Sequence, residues 1–280
     1  MTSVIVPVHN EAAVIERCLR ALLNEVEPDD EIIVVCNGCT DDSEAIARRF
    51  EPRITVKVAS RASKALALNL GDTAATQFPR VYLDADVVVG HGTLSRLTAA
   101  LTGGRYLAAA PVPRMDFQRS TWPVRAYYRV WLSMPYCQAG LLGAGVYALS
   151  EAGRARFSDF PDLISDDGFV RANFREDERG SVSDAYVTVS APARLRWLLK
   201  IKTRSRAGQF ELKQRFPDLI ANERKDYGSG VRTMLRNPDN WLPAMVYLYV
   251  VLITRWQASR MLGAHENIGW EKDHSSRGIS

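Results

Sequence analysis

"DEIIVVCNGCTDDSEAIARRF", Asp30–Phe50, is the stretch whose reading decides the fold. An apolar run rich in Ile and Val ends at Cys36. A polar turn follows, and acids then open a second segment. The run over 30–36 reads as a buried β-strand. Residues 41–50 read as a helix whose first turn carries acids, favourable at the positive end of its dipole. Between them stands Cys36-Asn37-Gly38-Cys39. Strand, C-x-x-C, helix is the setting of a thiol oxidoreductase, because a helix N-terminus lowers the pKa of the first thiol. The competing reading is a ligand-binding turn: Gly38 permits a bend that a side chain would block, and Asp41 caps the next helix or faces a ligand. A zinc site needs two more ligands. Cys18 lies on a helix face, Cys137 stands alone, and His9, His91, His265 and His274 form no pair.

Working outward, the same alternation repeats. "SVIVPV" (3–8) predicts a strand, and 11–25 a helix with Val14, Ile15, Cys18, Leu19, Leu22 and Leu23 at helical spacing. Residues 54–59 predict a third strand, 63–77 a helix, and "RVYLDADVVV" (80–89) a fourth strand running into acids. Strands and helices alternating at spacings of about 25 residues mean βαβ units and a mostly parallel sheet. In such sheets ligands bind beyond the carboxyl ends of the strands. "HNE", "CNGCTDD" and "DAD" all fall at such ends, which places Glu11, Asn37, Asp41, Asp84 and Asp86 around one crevice. Two carboxylates one residue apart repel and call for a cation. A hard divalent ion, Mg²⁺ or Mn²⁺, suits oxygen ligands and keeps positions open for phosphate. Without a ligand, the same acids are a helix cap and a solvated carboxylate.

Beyond residue 100 the pattern loosens. Strands are predicted over 104–112, 143–150 and 182–192, an aromatic helix over 122–134, and a helix start at 165–174. Trp122, Tyr127 and Trp131 on the aromatic helix either stack acceptor sugars or pack the core. The 280 residues suffice for a large core, and 46% hydrophobic with 24% charged residues is ordinary globular composition. Four cysteines argue against a disulfide scaffold and for a reducing compartment. "MTSVIVPVHNE" lacks the basic and apolar regions of a signal peptide, so a cytoplasmic protein is expected. Between Arg194 and Arg236 stand twelve Lys/Arg against four Asp/Glu, a solvated face or a patch for polyanions. "WLPAMVYLYVVLI" (241–253) is apolar but shorter than the ~20 residues of a spanning helix. It reads as a buried helix or as one lying in a bilayer interface, with Trp241 and Trp256 at its ends and Arg255 and Arg260 beyond. The tail, 271–280, reads as frayed.

Taken in order, "VIVPVHNE", "IIVVCNGCTDDS", "SKALALNLG" and "VYLDAD" resemble the inverting family 2 glycosyltransferases of GT-A fold; "GAGVYALSEAG" (143–153) and "LISDDGFVRANF" (163–174) resemble two later blocks of that family. The resemblance implies a Rossmann-like, mostly parallel α/β sheet flanked by helices: a nucleotide-sugar half over 1–105, an acceptor and catalytic-base half of the same domain over 106–200, and a basic, partly apolar helical extension over 201–280. It implies that Pro7, His9 and Glu11 line the nucleotide pocket, that Lys64 contacts the nucleotide, that Asp84 lies near the ribose, and that Asp86 is the main metal ligand. Asp167 stands at the catalytic base, and Asp166 where the family more often has Glu. Cys36-Asn37 stands where two acids usually meet base and ribose, a departure that loosens the expectation of a UDP-sugar. Arg204 and Arg206 fit a clamp on the donor diphosphate, Arg206 foremost. The function implied is metal-dependent transfer of a sugar from a nucleoside diphosphate to the hydroxyl of a glycan or lipid-linked acceptor, in cell-surface polysaccharide or glycolipid synthesis. Peripheral contact with an anionic membrane is expected, and nucleic acid is not an expected partner. The alternatives are a polyprenyl-phosphate sugar transferase and, from another class, a thiol oxidoreductase using Cys36 and Cys39.

Overall fold

The structure is a computed structural model that describes residues 1–134, 137, 145–220 and 238–263. Gly143 and Ala144 of the fifth family-like block, residues 221–236 of the basic patch, His265, His274 and the tail over 271–280 lie outside the described residues.

β1 (Ser3–Val8) is buried along its whole length, because β2 (Glu31–Asn37) and β4 (Arg80–Leu83) flank it in parallel. β3 (Thr55–Ala59) adds to β2, again in parallel. Side chains alternate strictly between two cores. Val4, Val6, Ile32, Val34, Cys36, Val81 and Leu83 meet α1 (Ile15–Leu23) and α4 (Thr93–Thr102) on one face. Ile5, Ile33, Val35 and Tyr82 meet α3 (Lys64–Ala74) and α7 (Asp166–Ala172) on the other. Burial on both faces is why these strands read as unbroken apolar runs. α2 (Ser43–Arg48) and the short α6 (Glu151–Arg154) complete the flanks.

The sheet continues past this half in the order β3-β2-β1-β4-β7-β6-β8-β5. β7 (Val146–Leu149) runs antiparallel to β4 and to β6 (Ala108–Asp116). β8 (Arg179–Ser190) runs parallel to β6, and β5 (Val88–Val89) closes the edge antiparallel to β8. One sheet therefore draws strands from both sides of residue 105. The strand expected over 80–89 is in fact two: β4 stops at Leu83 and β5 pairs at the opposite end of the sheet. The chain leaves the ladder at Asp84, Ala85 and Asp86, where carboxylates cannot be buried between two helical layers.

A third core lies among α5 (Trp122–Trp131), α8 (Leu195–Arg215) and α10 (Trp241–Gly263); the short α9 (Pro217–Ile220) follows α8. Tyr127 and Tyr128 are buried there, while Trp122 is exposed. α10 is neither wholly core nor wholly surface. Ala244, Tyr247, Val250, Thr254 and Ala258 face α5 and α8, whereas Trp241, Leu242, Met245, Leu248, Tyr249, Leu252 and Trp256 form an exposed apolar stripe. Among the described residues no helix is long and apolar enough to cross a membrane.

Candidate active site

The loops after β1 and β2 are stitched together by side chains. His9 Nδ1 lies 2.7 Å from the Asn37 carbonyl oxygen. Asn10 Oδ1 accepts from the Thr40 amide at 2.7 Å, and Asn10 itself takes a left-handed φ of 51°. The Glu11 amide donates to Ser43 Oγ at 2.6 Å, and the Ala12 amide donates to Asp41 Oδ2 at 3.1 Å. Asp41 Oδ1 also accepts from the Ser43 amide and hydroxyl. Asp41 is thus a clamp between the loops as well as a turn residue. Pro7 is buried in β1 beside Val35, and the Glu11 side chain is buried at the mouth.

Asn37, expected at the nucleotide, is tied into the protein. Its side chain is fully buried: Nδ2 donates to the Val8 carbonyl at 2.7 Å, and Oδ1 accepts from the Ser63 amide at 3.0 Å. It ties β1 and β2 to the start of α3 and forms the floor of the crevice. Gly38 is the tight turn that the sequence implies, with φ +56°; a Cβ there would come within 2.6 Å of the Ala62 nitrogen. The C-x-x-C is structural in character. Cys36 sits in the sheet core, and Cys39 points its Sγ at the Val8 carbonyl. The mutual hydrogen bond and burial push the Cys36 thiol far up, the direction opposite to that of a reactive thiolate. The Cys18 thiol is likewise pushed up, chiefly by burial, and it feels Asp86, Asp84 and Glu11 from beneath the crevice.

Ser63 caps α3, accepting from the Leu66 amide, and so aims the first helical residue, Lys64, across the strand ends. Lys64 Nζ bridges two carboxylates, Asp84 Oδ1 at 2.8 Å and Asp166 Oδ1 at 3.1 Å. Lys64 is raised by Asp166 and Asp84, with Asp167 adding to them, which together outweigh its burial. Asp84 is pushed up to about 6: burial raises it, Lys64 opposes, and Asp166 and Asp86 add repulsion. Its amide donates to the Gly145 carbonyl at 2.7 Å, and Gly145 (φ +77°) has no room for a Cβ against Val87. Asp166 is buried, and among the described residues its Oδ2 has no hydrogen-bond partner; nor does the buried Tyr147 Oη, whose ring stacks on Tyr82. Asp167 Oδ1 accepts from Ser165 Oγ and the Gly168 amide, both at 2.8 Å, which fixes the carboxylate at the helix start.

Four acids therefore converge with one lysine among them, leaving net negative charge and a buried carboxylate oxygen without a donor. That surplus fits a divalent cation. Among the described residues no three His, Cys, Asp or Glu side chains are arranged to hold a metal alone. Asp86, at the mouth of the acid turn, would hold such an ion jointly with phosphate oxygens.

Residues 3–147, just over half the chain, match the sequence model of glycosyl transferase family 2. The chain belongs to that family. The glycosyltransferase AglE of Haloferax volcanii is 46% identical over 50 residues, a stretch spanning 17% of this chain and 16% of that protein. Among solved structures, the mannosyltransferase PcManGT of Pyrobaculum calidifontis, in complex with GDP-Man and Mn2+, superposes with a TM-score of 0.63 at 21% identity, over 95% of this chain and 76% of that one. Glucosyl-3-phosphoglycerate synthase of M. tuberculosis superposes with a TM-score of 0.55 at 24% identity, over 77% and 80% of the two chains. S. aureus TarS 1-349 in complex with UDP-GlcNAc gives 0.55 at 14% identity, over 96% and 93%. The GT-A fold of the family is therefore the fold of this chain.

Arg206, expected at the donor diphosphate, lies on α8 beside Tyr127 and Lys202. Lys202 opens the same cationic stretch, Lys202–Leu212, of which the sequence reading singled out Arg204 and Arg206. Its only signal was the four-residue spacing to Arg206, which puts both cations on one helix face.

Proposed function

We propose that this family 2 protein is an inverting, metal-assisted glycosyltransferase that moves a sugar from a nucleoside diphosphate to an acceptor hydroxyl. The observation that carries the proposal is the Lys64-centred cluster of Asp84, Asp86, Asp166 and Asp167 at the carboxyl ends of β1, β2 and β4. The ligands of neighbouring structures, GDP-Man with Mn2+ and UDP-Glc with Mn2+, support a nucleotide-sugar donor and a divalent ion, Mg²⁺ or Mn²⁺. They include both GDP and UDP, so the expectation of a UDP-sugar is one of two.

The roles follow from position. The stitched loops carrying Pro7, His9, Glu11 and Asp41 form the nucleotide wall, with Asn37 as its floor. Lys64 offers positive charge to the diphosphate while holding Asp84 and Asp166 in place. Asp86 would hold a divalent metal, which would neutralise charge on the leaving diphosphate. Asp167, oriented through Oδ1 by Ser165 and Gly168, takes the proton of the attacking hydroxyl, worth typically about 10²–10⁴-fold in rate. One base facing the anomeric carbon opposite the leaving group gives in-line attack and inversion. The buried Cys36 supports this reading over a thiol oxidoreductase. The apolar stripe of α10, with exposed Arg255 and Arg260 beside it, supports peripheral docking on an anionic cytoplasmic leaflet, and with it a lipid-linked or cell-surface glycan acceptor.

The test is calorimetric titration with a panel of nucleoside diphosphates, with and without Mn²⁺, beside Asp86→Ala. Metal-dependent binding of one nucleotide, lost in Asp86→Ala, is expected, together with intact donor binding but crippled turnover in Asp167→Asn. Binding of none, or binding indifferent to metal and to Asp86, overturns the reading.

A further inference from the structure

Lys202 is the least comfortable charge among the described residues. Its Nζ lies 4.0 Å from the centroid of the Trp131 ring, 5.3 Å from Tyr128 and 5.5 Å from Tyr127. The cage is itself rigid: Tyr127 and Tyr128 meet edge to face, as do Tyr128 and Trp131, and Tyr127 stacks on Tyr247 of α10. Among the described residues no carboxylate comes within ion-pair distance of Lys202. Arg206, one turn along the same face, also has no ion-pair partner there. Two like charges sit side by side, partly withdrawn from water, over an aromatic floor. Burial pushes Lys202 down to about 8, and Arg206 adds to the depression. Desolvated cations in this arrangement call for a counter-anion, since cation–π attraction alone recovers only part of the lost hydration.

The position of the pair says which anion. α8 crosses the start of α7 at Gly208, where an added Cβ would meet Ser165 Cβ at 2.9 Å and Ile164 Cβ at 3.2 Å. The Ile164 amide also donates to Glu211 Oε2. Ser165 donates to Asp167 Oδ1, so Arg206 lies roughly 3 Å and Lys202 roughly 9 Å along the helix from the point that touches the residue orienting the proposed base. Asp167 is the carboxylate whose charge reaches Lys202 and partly offsets its desolvation.

We propose that Lys202 and Arg206 form a phosphate-binding subsite on the acceptor side of Asp167, so that the acceptor is a phosphate-bearing molecule. This rests on the transferase reading for its meaning, and it moves Arg206 from the donor diphosphate to the acceptor. The phosphate belongs either to the isoprenoid carrier of a lipid-linked sugar or to a water-soluble phosphorylated acceptor, each also offering a hydroxyl to Asp167. The guanidinium supplies a fork for two phosphate oxygens, and the ammonium supplies a compact charge whose desolvation is relieved on pairing.

The experiment titrates the full chain with farnesyl phosphate, glycerol 3-phosphate and uncharged farnesol, beside Lys202→Met and Arg206→Gln. Both phosphates are expected to bind and farnesol not to. Each substitution is expected to weaken farnesyl phosphate by about 10–100-fold. Lys202→Met is expected to change Mn²⁺-dependent nucleoside diphosphate affinity by less than about threefold. Much tighter binding of farnesyl phosphate than of glycerol 3-phosphate identifies a lipid carrier, and equal binding a soluble acceptor. The subsite is refuted if neither phosphate binds, if both variants bind like the parent, or if Lys202→Met weakens the nucleoside diphosphate as much as farnesyl phosphate. Thermal melts check that the variants are folded, and Arg206→Gln, at a part-exposed position, stands in if Lys202→Met is not. Loss of nucleoside diphosphate binding in the parent chain, with phosphate binding retained, sinks the transferase reading and leaves the subsite standing.

Discussion

Replacing Lys202 by Met should make the ligand-free protein more stable, an unusual result for a substitution at a half-buried site. Lys202 falls from its ordinary 10.5 to about 8 on folding. At ~1.36 kcal/mol per unit, that is about 3 kcal/mol of stability lost to carrying the charge at pH 7. The aromatic cage returns about 1–2 kcal/mol through cation–π attraction. Met keeps the length of the stem and makes favourable sulfur contacts with the same rings. The net gain at pH 7 is therefore about 1–2 kcal/mol, or about 2–6 °C in melting temperature for a chain of this size. The pH dependence fixes the cause. The folded-state pKa is depressed, so between about 8 and 10.5 the unfolded chain binds more protons than the folded one. Parent stability therefore rises with pH through that window relative to the variant, and the advantage of Lys202→Met should shrink towards zero by pH 10. Urea and thermal melts of both proteins at pH 7 and pH 10 measure this. A variant less stable than the parent at pH 7, or equally favoured at both pH values, refutes the desolvated-cation argument.

Asn37→Asp, which restores the acid usual in the family, should cost about 2–4 kcal/mol in urea unfolding, because it removes the donor to the Val8 carbonyl and buries a charge; a neutral result would mean that the side chain turns outward to a ligand. Cys36→Ser with Cys39→Ser should leave sugar transfer within about threefold while costing about 1–2 kcal/mol in stability from the hydroxyl buried at position 36; abolished activity would return the thiol reading. Leu248→Glu with Leu252→Glu should abolish flotation with anionic liposomes without changing the melting temperature, since both side chains face outward; unaltered flotation would place the lipid contact elsewhere.

Much of the nucleotide half was legible in the sequence because its signals are local. Strands buried on both faces must be apolar throughout, so β1, β2 and β4 announce themselves as runs of Val and Ile. The helices between them carry the 3.6-residue period. The strand-end position of Glu11, Asp41, Asp84 and Asp86 follows from that alternation alone. Gly38 showed its turn for the same reason, since only a residue without Cβ tolerates Ala62 so close.

Other features depended on partners distant in the chain. The hydrogen bonds of Asn37 go to Val8 and Ser63, and nothing in "CNGC" reveals them. The break after Leu83 depends on β8, about a hundred residues later, capturing Val88 and Val89. α10 carries apolar residues on every side, so its sequence cannot say which stripe α5 and α8 cover and which they leave open. Lys202 reads in the sequence as one cation among twelve. Only the packing of α5 against α8 puts three aromatic rings around it, with no carboxylate at ion-pair distance among the described residues. The sequence by itself determined which segments are strands and helices and where the acids of the donor side fall, because hydrophobic period and turn chemistry act over a few residues. The tertiary structure decided which buried polar groups are satisfied and which charges are left over, because hydrogen bonds and desolvation depend on contacts between residues far apart in the chain.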